Sequence, residues 1–244
     1  MGGSGLIGRR LVAACLRSGA AVVVAGRDRN SDGFQRLKCE VDVDLPFEDV
    51  DICNAESVKN LFSAAERRLG PIDAVVNCTF PRNSNFGAKF EDVSFVDFCE
   101  NVNMHLGSAF LICQEAMRYF SRRNYGCIVN FSSIYGLIAP RFEVYDGTSM
   151  TKEIEYIVCK SAIISITEYL AKYLKGKNIR VNCVSPGGIA DGQPKTFIER
   201  YNEHGLNKGM LDSDDVAGTV VFLLSDQAKF INGQNIVVDD GYSL

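Results

Sequence analysis

Short runs of branched apolar residues alternate along the chain with longer stretches whose apolar positions recur every three or four residues. That alternation predicts a parallel sheet covered by helices on both faces, an α/β fold. Leu6 to Ser18 reads as a helix closed by Gly19, and Ala21 to Gly26 as a buried strand (AVVVAG). The stretch up to about Val50 has no clear period. Asn54 is placed to cap a helix from Ala55 to Leu69, which Gly70-Pro71 ends before a strand from Ile72 to Asn77. Beyond a Pro/Asn/Gly-rich loop come helices over Val93 to Glu100 and Met104 to Arg122, then a central strand, Cys127 to Ser132. The loop from Gly136 to Thr151 is long enough that function explains it better than connection alone. A helix from Lys152 to Leu174, a strand from Ile179 to Ser185 and short helices near Thr196 to Asn207 follow. Ser213 is placed to cap a helix ending at Leu224, and Gln234 to Val238 supplies the last strand.

The 244 residues, 46% hydrophobic and 23% charged, suit one domain spanning 1–244. No run reaches the roughly 18 apolar residues of a membrane span, and none resembles a signal peptide, so a cytoplasmic protein is expected. The formal charge of -4 gives no electrostatic reason to expect nucleic acid or an anionic membrane, which leaves a small molecule as the expected partner. Nine cysteines never form a C-x-x-C pair and there are two histidines, so no metal site is expected. Cys15 and Cys183 lie in apolar runs, a usage that suits reduced thiols.

Gly3-Ser4-Gly5-Leu6-Ile7-Gly8 matches G-x-G-x-x-G at the mouth of the first helix, where glycines let a pyrophosphate approach backbone N–H groups. The fingerprint normally follows a strand, which is absent between Met1 and Gly3. In a doubly wound sheet that strand is central, so an N-terminally truncated or mis-started sequence is one expectation; a flexible glycine tail is the bland alternative. After the second strand, Gly26-Arg27-Asp28 offers both a base for a 2′-phosphate and an acid for ribose hydroxyls. Arg27 comes first, which favours NADP over NAD, unless both are ordinary solvated loop charges.

Carbonyl reduction needs a hydride donor, a proton donor at oxygen and a group that orients that oxygen. Tyr156 and Lys160 lie at i, i+4 on one helical face, where an ammonium favours phenolate. Spacing alone is weak evidence, because Tyr173 and Lys177 match it too. The context of Tyr156 is more specific: Ile128-Val129-Asn130-Phe131-Ser132-Ser133 precedes it, and Val184-Ser185-Pro186-Gly187-Gly188 follows. With the Gly-rich start, and with Asp215-Val216-Ala217 and Asn232-Gly233-Gln234 near the end, the whole chain resembles the short-chain dehydrogenase/reductase family. The resemblance implies a Rossmann-type doubly wound parallel sheet in a single domain, here lacking the first strand, and hydride transfer between a nicotinamide and a carbonyl or secondary alcohol.

Carried over by residue, the resemblance makes Tyr156 the general acid/base, Lys160 its pKa tuner and a ribose ligand, and Ser133 the hydroxyl that orients the carbonyl. Asn103 corresponds to the family's fourth member, which holds a water; a helix cap is its plainer reading. Gly2, Ser4, Gly5, Leu6, Ile7 and Gly8 are implied to hold the pyrophosphate, with Arg27, Asp51 and Asn77 along the nucleoside. Pro186, Gly187 and Ile189 are implied to face the nicotinamide. Asp51 also reads as a strand-end turn residue. The resemblance further implies a homodimer or homotetramer through the helices Met104 to Arg122 and Lys152 to Leu174.

Three departures stand out: Leu6 replaces a common glycine, Asn77-Cys78-Thr79-Phe80 replaces Asn-Asn-Ala-Gly, and about ten extra residues separate Ser133 from Tyr156. That inserted loop, with Tyr145, Thr148 and Ser149, is hydroxyl-rich and suits a sugar-like substrate. It is also similar to dehydrogenases associated with flagellin-glycan and nonulosonic acid pathways. Two rivals remain at this level. A sugar-nucleotide epimerase or dehydratase shares the motifs but normally adds a C-terminal substrate domain. An inactive, truncated binding protein would explain the missing strand.

Overall fold

The computed structural model describes residues 1–41 and 43–244. Helix α1 (Leu6–Arg17) leads through Gly19, at φ 83°, to strand β1 (Val24–Gly26). Helix α2 (Asp32–Glu40) and strand β2 (Phe47–Asp49) follow, then α3 (Ala55–Leu69) and β3 (Ala74–Asn77). Next come α4 (Phe95–Val102), a π-helical turn (Asn103–Gly107), α5 (Ser108–Arg123) and β4 (Gly126–Phe131). Helix α6 (Ile154–Tyr173), β5 (Ile179–Pro186), α7 (Lys195–Asn202), α8 (Ala217–Leu224) and β6 (Asn235–Val238) complete the described elements.

All the strand pairs are parallel, in a two-stranded unit β1-β2 and a four-stranded unit β3-β4-β5-β6. Every residue of β4 is buried, because α5 and α6 cover one face while α1 and α8 cover the other. Sandwiched strands of this kind read as continuous apolar runs rather than alternating ones.

The two units face each other across a gap between β1 and β3, and the first two residues stitch it at one end. The Met1 amine donates to Val76 O at 2.7 Å, Gly2 N to Ala25 O at 2.9 Å, and Cys78 N to Met1 O at 3.2 Å. Beyond that stitch lies a cavity of about 530 Å³ lined by Val12, Val22, Val24, Leu61, Phe62 and Val76, among others. Burial holds the Met1 amine below its ordinary pKa, with the neighbouring Cys78 thiol acting in the opposite sense.

The gap explains one difference from the sequence reading. The strand expected over Ala21 to Gly26 is regular only from Val24, because Val22 and Val23 face the cavity instead of a neighbouring strand. Both α2 and β2 lie in the stretch that showed no period; α2 buries only Phe34 and Leu37, too few to mark a helical face. Ser213 does not cap the helix before Leu224. That helix starts at Ala217, with Val216 at its N-cap and no capping side chain. Asn54 does cap α3, accepting from Ser57 N at 3.0 Å.

Filling the cavity from the Met1 side removes a buried amine and buries apolar area. Fusing about six valine and isoleucine residues upstream of Met1 is therefore expected to stabilise the chain by about 2 kcal/mol or more. In thermal unfolding that is a rise of roughly 4–8 °C in Tm; an unchanged or lower Tm would contradict this reading of the gap.

Candidate active site

The centre is assembled where the C-terminal end of β4 meets the first turns of α6, and two reciprocal hydrogen bonds fix the join. Lys160 Nζ donates to Phe131 O at 2.9 Å, while Ser132 Oγ donates to Lys160 O at 2.7 Å. Gly136 permits the contact, since a Cβ there would sit 2.6 Å from Ser132 Oγ and 2.9 Å from Lys160 O. Ser132 thus ties the helix to the sheet. Ser133, the next residue, turns the other way. Its Oγ accepts from Tyr135 N at 3.2 Å, which leaves its hydroxyl hydrogen available to an oxygen in the site.

Tyr156 stands between two ammonium groups. Lys152 Nζ lies 3.7 Å from its ring centroid and Lys160 Nζ 5.4 Å. Burial drives Lys160 down to about 8, against the opposing influence of the Cys183 and Cys159 thiols. Burial also raises the Tyr156 phenol above its ordinary value; the Ser133 hydroxyl pulls it back and Glu153 pushes it further up. A phenol held in its protonated form can act as an acid toward a carbonyl oxygen at neutral pH.

Several sequence-predicted residues converge here and one does not. Ser133, Tyr156 and Lys160 come together, the first and last almost fully buried. Asn103 is exposed, with its Oδ1 set against Gly107 at the start of the π-helical turn. The buried polar residue on that turn is His105, 3% exposed, its ring 4.9 Å from Phe80 and 6.4 Å from Tyr156. Burial and the Lys160 charge drive its pKa down to about 2, so the imidazole is neutral, and its Nε2 has no hydrogen-bond partner among the described residues.

Phe80, from the departure after Asn77, meets Tyr156 edge-on at 5.3 Å and becomes a wall of the centre. His105, Phe80 and Lys152 were missed in the sequence reading; the available signals were one of only two histidines and a bulky residue where the family prefers glycine. The inserted loop also differs from expectation. Val144 and Tyr145 are buried in an aromatic cluster with Tyr135, Tyr201 and Tyr242. Tyr145 donates its hydroxyl to Tyr135 at 3.2 Å, and Thr148 donates to Tyr145 O. These hydroxyls are matched internally rather than turned to a ligand.

The nucleotide side fits a dinucleotide by its backbone. Gly2 has φ 73°, and a Cβ on Gly8 would collide with Gly2 O, so both positions require glycine. Gly5 caps α1 without a side-chain hydrogen bond, and the first turn holds no acid. Unpartnered N–H groups at Leu6, Ile7 and Gly8, with Ser4 beside them, suit a pyrophosphate. Arg27 is exposed after β1. Asp28 accepts from Asn30 N at 2.8 Å and Asp51 from Cys53 N at 3.0 Å, so both acids also serve as turn residues. Asn77 is buried at the end of β3, its Oδ1 accepting from Thr79 Oγ1 at 2.8 Å. After β5 ends at Pro186, Gly187 N donates to Val238 O, and Ile189 O accepts from Gln193 Nε2 at 2.9 Å. Among the described residues no group of three His, Cys, Asp or Glu side chains is placed to hold a metal. No described helix is long and apolar enough to cross a membrane.

A parallel sheet with a glycine-cradled helix at one end and a Ser-Tyr-Lys centre beside it defines a nucleotide-dependent oxidoreductase architecture, and comparison with known proteins agrees. The chain belongs to the short-chain dehydrogenase/reductase family. A family profile described as Enoyl-(Acyl carrier protein) reductase matches residues 4–243. The chain is 39% identical over 248 residues to post-translational flagellin modification protein A of Campylobacter coli, covering 100% of this chain and 96% of that protein. It is 30% identical over 248 residues to a probable galactose dehydrogenase of Rhizobium meliloti, covering 98% and 91%. Among solved structures, a short-chain dehydrogenase from Leptospira borgpetersenii with bound NAD+ superposes with a TM-score of 0.84 at 31% identity, covering 100% of this chain and 91% of that one.

The two adjacent serines are separable by experiment. Ser133→Ala is expected to lose about 100-fold or more in kcat, with a smaller loss of Tm than Ser132→Ala because only the longer 3.2 Å bond from Tyr135 N goes unmade. Ser132→Ala is expected to cost about 1–3 kcal/mol of stability, because it leaves one half of the reciprocal join unmade. Equal effects on Tm from the two variants would contradict the division of roles.

Proposed function

We propose that the protein interconverts a carbonyl and a secondary alcohol on a sugar-like substrate, using NAD(P) with a preference for NADP(H). The observation that carries this reading is the convergence of Ser133, Tyr156 and Lys160 at the join of β4 and α6. A bound nicotinamide would exchange hydride with the substrate carbon. The chain's own groups handle the oxygen. Ser133 donates a hydrogen bond to it, Tyr156 gives or takes its proton, and the Lys160 ammonium favours the negative charge left on the phenol.

Two features support a sugar-like substrate. The relatives include proteins described by flagellin modification and by galactose oxidation. The surroundings of Tyr156 also carry polar groups: Lys152 over its ring, Glu153 beside Lys152, and Arg82 over the adjoining Phe80. A preference for NADP(H) follows from Arg27, which is exposed and precedes Asp28, whose carboxylate is engaged in its own turn.

Kinetics with both cofactors test the Arg27 assignment: Arg27→Ala is expected to raise KM for NADP(H) about tenfold or more while changing that for NAD(H) little. A parallel change for both cofactors would remove the preference. Proton transfer by a phenol whose pKa is raised also has a definite sign. Alcohol oxidation needs phenolate and should increase with pH, whereas carbonyl reduction needs the neutral phenol and should fall at high pH. With Tyr156→Phe at the centre, both limbs should flatten at a residual rate at least about 100-fold lower. A retained pH-dependent rate in that variant would overturn the proposed role.

A further inference from the structure

We propose that the substrate carries an anionic oxygen group, a carboxylate or a phosphate, received by Lys152 and Arg82 beside Tyr156. This rests on reading Tyr156 as the redox centre and names the substrate class that the same centre would take.

Two cations reach the adjoining rings of Tyr156 and Phe80 from different elements. Lys152 enters from the segment just before α6 and sets its Nζ over the Tyr156 ring at 3.7 Å, and 5.8 Å from the Tyr135 ring. Arg82 enters from the loop after β3 and lays its guanidinium over Phe80 at 5.0 Å and near Phe86 at 5.9 Å. Phe80 in turn meets Tyr156 edge-on, so Arg82, Phe80, Tyr156 and Lys152 form one continuous wall.

Lys152 has one carboxylate beside it, Glu153 Oε2 at 3.2 Å. Arg82 takes part in no ion pair among the described residues. The exposed guanidinium of Arg82 rests on rings. Burial disfavours the Lys152 ammonium, Glu153 favours it, and the Arg82 charge disfavours it. Like charges held close and partly out of water favour an anion between them.

The wall adjoins open space at Lys152. A groove of about 510 Å³ starts at Lys152 and is lined by Lys89, Phe90, Glu91 and Phe142, among others. Its volume falls within the range of small-molecule sites, roughly 300–1,000 Å³. Its lining brings Lys89 and Lys152 together with Glu91, and Glu153 stands beside Lys152.

The test uses three probes of similar size on the full chain: glucuronate, glucose 6-phosphate and glucose. Binding is measured by calorimetry and NADP+-linked turnover is measured separately. At least one anionic sugar is expected to bind about tenfold or more tighter than glucose, and which one does so distinguishes carboxylate from phosphate. That preference should fall at least about fivefold in Arg82→Ala and in Lys152→Met, and recover in part with Lys152→Arg. Arg82 is exposed, so its variant keeps the test valid if Lys152→Met does not fold.

Three results would overturn the proposal: glucose binding as tightly as both anions, an anion preference surviving in either folded variant, or no anion binding at tens of millimolar. Lys152 acting only as a second tuner of Tyr156 would instead lower kcat equally for neutral and charged sugars. Anion binding without turnover of any sugar would leave the anion site standing and remove the redox reading.

Discussion

A lysine ammonium surrounded by apolar side chains must find an oxygen or lose its proton, and in this protein it finds a main-chain carbonyl at the end of the central strand. The bond from Lys160 to Phe131 O fixes the first turns of α6 against β4, and Ser132 answers it by donating to the Lys160 carbonyl. Tyr156 is one helical turn away on the same face, and Ser133 follows directly from Ser132. The same small set of bonds that joins helix to sheet therefore sets where Ser133, Tyr156 and Lys160 stand. Buried polar contacts of this kind are costly to leave half made, which holds the geometry in one arrangement.

On the cofactor side the construction is by main chain and by close approach. Gly2 and Gly8 let the first turn of α1 pack against the start of the chain, and Met1 and Gly2 hold β1 and β3 together through three hydrogen bonds. The cavity beyond them leaves this half of the sheet more weakly packed than the half carrying Ser133. Ser133 is set by the four-stranded unit, whereas Arg27, after β1, depends on the stitched gap.

Much of this was legible in the sequence wherever local and tertiary preferences agree. Asn54 and Gly70 bracket α3 at the expected residues, and the uninterrupted apolar run of β4 identifies a strand covered on both faces. The Ser-Tyr-Lys set is visible as spacing plus context. Where partners lie far apart in sequence, the pattern is silent: β2 exists because β1 pairs with it, and α2 because Phe34 and Leu37 reach a small core. Asn103 shows a different limit. A π-helical turn changes the helical phase, and each residue of a helix advances the face by about 100°. The position expected to face the centre is exposed and His105 lies inside. Phe80, Arg82 and Lys152 are far apart along the chain, and only the folded protein brings them to one wall.

Lys160 is a buried, carbonyl-bound amine whose pKa burial pulls down to about 8. Carbon-13 NMR of the lysine Cε groups, with the Lys160 signal identified by its loss in Lys160→Met, measures that directly. A titration midpoint near 8, well below the other lysines, is the predicted result. A midpoint at the ordinary lysine value of about 10.4 would show a solvated side chain and contradict the account.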